Sequence, residues 1–210
     1  MRYINFKYLV HILSFAAMMV FNSCGKGYTP EELIYIKSIH DSRVEKDSSF
    51  QNDPNSPFNF KGKVEFHPLN YFNVDPDFVL NSKLTKYERM DTISVFGTKG
   101  EERTSIRFGY LKLNYNGSDF KLNVYESIYQ DTLKYYSIWF TDQTTNNETY
   151  GVGRYINFDL NENPDHIYMI DFNMAYNPYC AYTSTYSCAI PTKEDHIDID
   201  INAGEKKFHD

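Results

Sequence analysis

The chain has 210 residues, with 28 acidic side chains against 21 lysines and arginines and a formal net charge of −7. This acidic balance argues against nucleic-acid binding, which requires a basic face, and three cysteines are too few for a scaffold built on disulfides. A hydrophobic content of 41% and an aromatic content of 17% argue against wholesale disorder and favour one domain rich in strands.

The first residues follow the plan of a secretory signal peptide. Arg2 and Lys7 give a basic start, a mostly apolar run covers residues 8–21, and small residues lead to Cys24. That run is shorter than the roughly 20 residues of a membrane-crossing helix. We therefore expect residues 1–23 to be a cleaved lipoprotein signal peptide, with an uncleaved membrane anchor as the alternative.

Cys24 is the expected site of lipidation. It follows Phe-Asn-Ser at residues 21–23, which resembles a bacterial lipobox, and residues 24–29 are expected to form a lipidated tether. Each buried methylene of an acyl chain contributes about 0.8 kcal/mol, so several chains anchor a protein stably. We expect a lipoprotein of the bacterial cell envelope that faces the periplasm and reaches its membrane partner through this anchor.

A helix is predicted over residues 30–49. Thr29 can cap it, Pro30 suits its first position, and Glu32 completes a capping box. Apolar residues then recur at helical spacing, and we interpret them as a stripe that covers one end of a β core, the alternative being a surface for a partner. The stripe consists of Leu33, Ile36, Ile39 and Val44.

Strand patterns dominate the rest of the chain. Residues 58–82 are irregular, and the strands after them have short connections and do not alternate with helices. This predicts a mainly β fold, an antiparallel β-barrel or sandwich preceded by one N-terminal α-helix, in a single domain over residues 30–206. The predicted strands cover residues 83–88, 92–97, 103–115, 119–127, 134–142, 149–160, 166–173 and 196–202.

Asn116 and Gly117 are the strongest hairpin signal, because a type I′ turn needs positive φ at both of its central residues. With a two-residue loop, the apolar residues of the two strands meet on one face. The predicted pairs are Tyr115 with Ser118, Leu113 with Phe120, and Leu111 with Leu122.

Arg154 shares the strand face of Ile156 and Phe158, which side-chain alternation directs toward the core. An arginine in that position needs a carboxylate partner or an anionic ligand. Two interpretations stay open, a structural ion pair and an anion-binding arginine in a pocket. The candidate carboxylates are Asp142, Glu148 and Asp171.

A loop rich in Asn, Tyr and Pro follows the apolar strand that ends near residue 171. Loops held by a rigid β frame often carry binding residues, although Asn and Asp also cap turns. We select six candidate ligand-binding residues from this loop and from the segment around Arg154, and no catalytic residue. They are Tyr150, Arg154, Asp171, Asn173, Tyr176 and Asn177.

Cys180 and Cys188 are expected to form a disulfide, because thiols of an exported protein tend to oxidise. The alternatives are a metal site with His196, a catalytic thiol and a pair of free thiols. Their spacing matches no zinc motif, and the sequence contains no nucleotide-binding loop and no common hydrolase motif. We therefore expect no metal and no cofactor.

Five multi-residue motifs suggest a family. They are Phe-Gln-Asn-Asp-Pro-Asn-Ser-Pro at residues 50–57, Leu-Asn-Tyr-Phe-Asn-Val-Asp-Pro at 69–76, Glu-Thr-Tyr-Gly-Val-Gly-Arg-Tyr at 148–155, Asp-Phe-Asn-Met-Ala-Tyr-Asn-Pro-Tyr-Cys-Ala-Tyr at 171–182, and Ile-Asn-Ala-Gly-Glu at 201–205. With these motifs the chain resembles the bacterial family called domain of unknown function 1684. The resemblance implies the domain limits and an exported protein or lipoprotein, and it implies no reaction.

Three kinds of function follow from these observations. The favoured one is a non-catalytic lipoprotein that binds a small molecule or a cell-envelope component through its Tyr-, Asn- and Arg-rich loops. The second is a hydrolase that uses Asp142 or Asp171 as base, with Arg154 stabilising an anion. The third is a structural or assembly protein of the cell envelope, which would expose an apolar patch.

Overall fold

The computed structural model describes residues 27–60, 64–129 and 133–209; the expected signal peptide and Cys24 lie outside the described residues. Within them, one N-terminal helix, α1 (Pro30–Asn52), precedes eight strands in a mainly antiparallel sheet that curls into a half-barrel. The strands are β1 (Val79–Lys86), β2 (Thr92–Phe96), β3 (Glu102–Tyr115), β4 (Ser118–Tyr129), β5 (Leu133–Asp142), β6 (Arg154–Phe158), β7 (Ile167–Asp171) and β8 (His196–Ile197).

Helix α1 begins where the sequence predicts it. The Thr29 amide donates to Glu32 Oε2 over 2.7 Å and the Glu32 amide donates to Thr29 Oγ1 over 3.2 Å, so both halves of the capping box form. The helix ends at Asn52, three residues beyond its predicted end. In the described part of the chain, no helix is long and apolar enough to cross a membrane.

The predicted apolar stripe of α1 is wrong in part. Ile39 is buried, but Leu33 is 54% exposed and Val44 is 69% exposed. Arg43 and Phe50 take their place on the buried face. Arg43 tolerates burial because Nη1 donates to the Phe72 carbonyl over 2.9 Å and Nη2 to the Asn173 carbonyl over 3.3 Å.

The sheet has the strand order β6-β5-β4-β3-β1-β7. Outside this order, β2 pairs with β3, and the short β8 pairs in parallel with β5. The β3–β4 hairpin has the predicted register, because Tyr115 faces Ser118 and Leu111 faces Leu122. Strands β6 and β7 end the order. An isolated bridge between Tyr155 and Tyr176 connects β6 to the chain that follows β7.

Two predicted strands are much shorter than expected. The segment 149–160 is a strand only over Arg154–Phe158, since the residues before it form turns that start at Asp142. Asp142 Oδ1 accepts bonds from the Thr144 amide over 2.8 Å and the Thr144 hydroxyl over 2.6 Å. The segment 196–202 is a strand only over His196–Ile197.

The curled sheet packs different residues on its two faces. On one face, the largest apolar cluster includes Leu111, Val124, Ile138 and Phe140, all fully buried. On the other face of β5, Trp139 belongs to a smaller cluster with Val95, Tyr125 and Ala189. A third cluster packs Phe50 of α1 against Phe58 just after the helix, Tyr182 in the loop after β7, and Phe208 near the C-terminus.

Gly117→Ala should lower the free energy of unfolding by about 1 kcal/mol, because φ at Gly117 is +84° and a Cβ disfavours that backbone conformation. No atom lies within 4 Å of the position that this Cβ would take, so the loss of stability would come from backbone strain and not from steric crowding. Chemical denaturation measures the change. Gly27→Ala is the matched control, since Gly27 has equal space and no left-handed φ; equal stabilities of the two variants would contradict the turn.

Candidate functional site

A groove of about 840 Å³ opens beside β6. Its lining comes from α1, from β5 and β6, from the end of β7 and from the loops on either side of Cys180. Tyr71, Arg103 and Glu205 add to it from elsewhere in the chain. We call it the β6 groove. Its wall is aromatic, with Tyr71, Tyr135, Trp139, Tyr155, Tyr176, Tyr179 and Tyr186 among its lining residues.

Arg154 lies in the core and does not line the groove. It is fully buried, and Nη2 donates to Asp142 Oδ2 over 2.8 Å and to the Ile201 carbonyl over 2.9 Å. Nη1 donates to the Ala203 carbonyl. Burial lowers the pKa of the Arg154 guanidinium, and the Asp142 carboxylate acts in the opposite direction. Of the two interpretations of Arg154, the geometry therefore matches the structural ion pair.

Asp171 and Asn173 line the groove and fasten α1 to the end of β7. The Tyr35 hydroxyl donates to Asp171 Oδ2 over 2.8 Å, and the Asn173 amide donates to Asp171 Oδ1 over 2.9 Å. Burial and the nearby carboxylate raise the pKa of Tyr35, which keeps its hydroxyl a donor. The Asn173 side chain also accepts a hydrogen bond from the Asp75 backbone amide and donates one to the Asp75 carbonyl.

The three remaining candidates lie in different places, and only one of them lines the groove. Tyr176 lines the groove, and its hydroxyl donates to Asn157 Oδ1 over 2.8 Å. Asn177 is buried behind the groove and donates through Nδ2 to the Lys206 carbonyl. Tyr150 lies near Cys180, with its hydroxyl 3.4 Å from the Cys180 carbonyl. The structure thus brings together Asp171, Asn173 and Tyr176, and not the other three.

Sequence reasoning missed Glu205, Lys46 and Arg43 as site residues. Glu205 is only 1% exposed, and its Oε2 accepts from Tyr182 Oη over 2.6 Å and from the Asn177 amide over 2.8 Å. Its Oε1 accepts from Lys46 Nζ, so the end of the chain is tied to α1. Glu205 was part of a family-like motif, but nothing local distinguishes Lys46 and Arg43 from the solvent-facing charges of a helix.

Trp139 is the chain's one tryptophan and lies on the groove wall. Its ring stacks on Tyr125 with 4.3 Å between ring centroids. Among the described residues, Trp139 Nε1 and Ser137 Oγ are buried and have no hydrogen-bond partner. Tyr135 and Tyr179 stand at the rim, 48% and 41% exposed. The wall therefore offers apolar area, with unpartnered polar atoms buried beneath its surface.

Cys180 and Cys188 are neighbouring free thiols in the structure, and Cys188 lines the groove. The Cys180 amide is 3.2 Å from Cys188 Sγ. A hydrogen bond from the Cys188 side chain lowers the pKa of Cys180 to about 7, and the same pairing raises the pKa of Cys188. Within the described residues no cluster of His, Cys, Asp or Glu has the make-up of a metal site. The disulfide stays a prediction, which the closeness of the two side chains favours.

Comparison with known proteins gives a family and a fold. The family model described as a protein of unknown function, DUF1684, matches residues 64–206. A solution NMR structure of an uncharacterized protein of Haloarcula marismortui is similar, with 25% sequence identity and a TM-score of 0.61. The similarity covers 84% of this chain and 96% of that one. No curated protein matches.

Asp142→Asn should lower the free energy of unfolding by about 3 to 5 kcal/mol, because it leaves the buried Arg154 charge without its carboxylate. Chemical denaturation measures the loss. Asp165→Asn is the control, since its ion pair with Lys83 is exposed to solvent and we expect no resolvable change. If both variants unfold at the same denaturant concentration, the fold does not depend on the Arg154–Asp142 pair.

Thiol trapping tests the two cysteines. Without reductant, alkylation followed by intact-mass measurement should find both sulfurs protected, and two modified thiols would contradict the disulfide. After reduction, Cys180 should react faster than Cys188, with a rate that rises through a pH of about 7. Cys188→Ala should move this midpoint upward, because it removes the hydrogen bond that stabilises the Cys180 thiolate. Equal rates for the two cysteines would contradict the assigned asymmetry.

Proposed function

The chain belongs to the DUF1684 family of proteins of unknown function, and we propose that it is a non-catalytic binding protein whose ligand occupies the β6 groove. The observation that carries this proposal is the combination of an aromatic wall with buried polar atoms that have no partner in the described protein. Small-molecule sites are concave, mostly apolar and supplied with a few polar groups that fix orientation.

The aromatic wall suits a ligand with both apolar and polar parts. Tyr and Trp present large flat surfaces at a low cost in side-chain entropy, and each keeps one polar atom. At about 840 Å³, the groove falls within the roughly 300–1,000 Å³ that ligand sites usually have. Trp139 Nε1 and Ser137 Oγ have no partner among the described residues but lie beneath the groove surface, so they would bond a ligand only after a shift of the wall.

A hydrolase based on Asp142 and Arg154 is less well supported. The Asp142 carboxylate is 2% exposed and is already occupied by Arg154 and Thr144. A general base must reach the proton that it removes, directly or through one water. Asp171, the other proposed base, does line the groove, but Tyr35 and Asn173 occupy both of its oxygens.

We further propose that the domain works as a lipid-anchored, periplasm-facing lipoprotein of the cell envelope. The support is the signal-like sequence of residues 1–23 with Cys24 behind it. The described domain starts only a few residues after this cysteine, at the capped start of α1. A short tether of this kind would keep the β6 groove near the membrane surface and its small-molecule or envelope ligands.

A role in envelope assembly has one observation in its favour. Strand β7 ends the sheet and exposes Ile167 by 58% and Met169 by 65%, and Met174 beyond it is 47% exposed. Exposed apolar side chains on a strand at the sheet's edge suit contact with another protein. Met169 and Met174 also line the groove, so the two roles share this rim.

A ligand screen tests the binding proposal. Compounds that raise the melting temperature should also shift the indole N–H signal of Trp139 in a ¹⁵N NMR spectrum, because Trp139 lines the groove. Tyr179→Ala should weaken binding of such a compound about tenfold, the loss of roughly 1.4 kcal/mol of aromatic contact. Tyr28→Ala, at an exposed tyrosine before α1, is the matched control. Stabilising compounds that leave Trp139 and the Tyr179 variant unaffected would place the site elsewhere.

A further inference from the structure

We propose that the ligand of the β6 groove carries an anionic group, a carboxylate or a phosphate, that binds at the α1 end of the groove beside Arg43 and Lys46. This inference rests on the proposed binding function and names the chemistry of its ligand. Four observations support it: the state of Arg43, the occupancy of the nearby carboxylates, the kind of polar atom left unused, and the aromatic wall beside them.

Arg43 is a buried cation without a direct counter-ion. Its side chain is only 9% exposed and lines the groove. Two of its nitrogens donate to backbone carbonyls, its guanidinium lies 4.3 Å from the centre of the Tyr71 ring, and Nε has no partner among the described residues. No described carboxylate lies within ion-pair distance of it. Since a buried charge without a paired one is costly, an anion here would be favourable.

The carboxylates that line the groove are already occupied. Glu205 accepts from Lys46, Tyr182 and the Asn177 amide, and Asp171 accepts from Tyr35 and Asn173. Their two negative charges match the two positive charges of Arg43 and Lys46, but neither carboxylate contacts Arg43. Burial lowers the pKa of the Arg43 guanidinium, as expected when the surroundings compensate its charge incompletely.

The unpartnered side-chain atoms of the lining residues can all donate a hydrogen bond, and each of them is buried beneath the groove surface. Arg43 Nε and Trp139 Nε1 can only donate, and the Tyr71 and Ser137 hydroxyls can donate or accept. Among the buried side-chain atoms of the described lining residues, none without a partner is an acceptor alone. A complementary ligand must therefore bring acceptors, and a charged acceptor forms the stronger bond to a guanidinium.

The rest of the ligand should be flat or apolar. Tyr176 adjoins the charged end, with Lys46 Nζ 5.2 Å from its ring centre. Tyr155 and Tyr179 continue the wall beyond it. An aromatic or apolar body that carries a single carboxylate or phosphate matches this order of surfaces.

The test is a titration of the ¹⁵N-labelled protein with benzoate, phenyl phosphate and the neutral benzamide, followed by NMR. At least one of the two anions should shift the Trp139 indole and Arg43 Nε–H signals and bind about tenfold more tightly than benzamide. The tighter anion identifies carboxylate or phosphate as the preferred group. Arg43→Gln should remove the preference, whereas Arg89→Gln, at a fully exposed arginine, should keep it.

Several outcomes would overturn the inference. If benzamide binds as tightly as the anions, the groove is a binding site for neutral compounds, and the proposed function survives alone. If none of the three moves either signal, the anion site is absent, whatever the wider screen finds. Should Arg43→Gln fail to fold, Arg43→Lys decides: it keeps the charge but not the guanidinium, so it should bind the anion more weakly and still prefer it to benzamide. An anion affinity that this variant leaves unchanged would likewise overturn the inference.

Discussion

The burial of one guanidinium organises this fold. Arg154 lies at the start of an edge strand with no exposed surface, so the charge and hydrogen bonds that it loses from water have to be replaced inside the protein, and all of its side-chain nitrogens but Nε find a partner there. Asp142 supplies the charge, and carbonyls of Ile201 and Ala203 supply acceptors. The segment that carries these carbonyls, residues 201–205, is irregular apart from an isolated bridge at Glu205. Glu205 comes two residues after Ala203 and accepts a hydrogen bond from Lys46 of α1.

That placement connects the core to the groove. Glu205 receives Lys46 from the helix and Tyr182 from the loop beyond β7, so three distant parts of the chain meet at one carboxylate. A second connection, from Tyr35 through Asp171, fixes the other side of α1. The helix is thus held by polar contacts along its groove side.

The sequence predicted those features whose causes are local. Thr29 and Glu32 are three residues apart, and the turn at Asn116 and Gly117 sets the register of its own two strands. The Arg43 partners, by contrast, are 29 and 130 residues away, and Lys46 meets a carboxylate 159 residues away. No periodicity in α1 reveals such contacts. The apolar residues alone therefore predict a buried helix face that is rotated about the helix axis from the face that the structure buries. Alternation did show that Arg154 points inward, but the choice between Asp142, Glu148 and Asp171 required the fold.

The seam between the two ends of the sheet has a consequence for how the groove opens. Where β6 meets the chain after β7, Tyr155 and Tyr176 exchange two backbone hydrogen bonds, of 2.8 and 2.9 Å, in one isolated bridge. A full ladder would make separation of these edges a cooperative event, but a lone bridge can break without disturbing its neighbours. The amide hydrogens of these two tyrosines should therefore exchange with solvent through local breathing of the seam, on a much faster timescale than those of the β3–β4 hairpin. Breathing of this kind would widen the entrance for a guest molecule while the core around Arg154 stays closed.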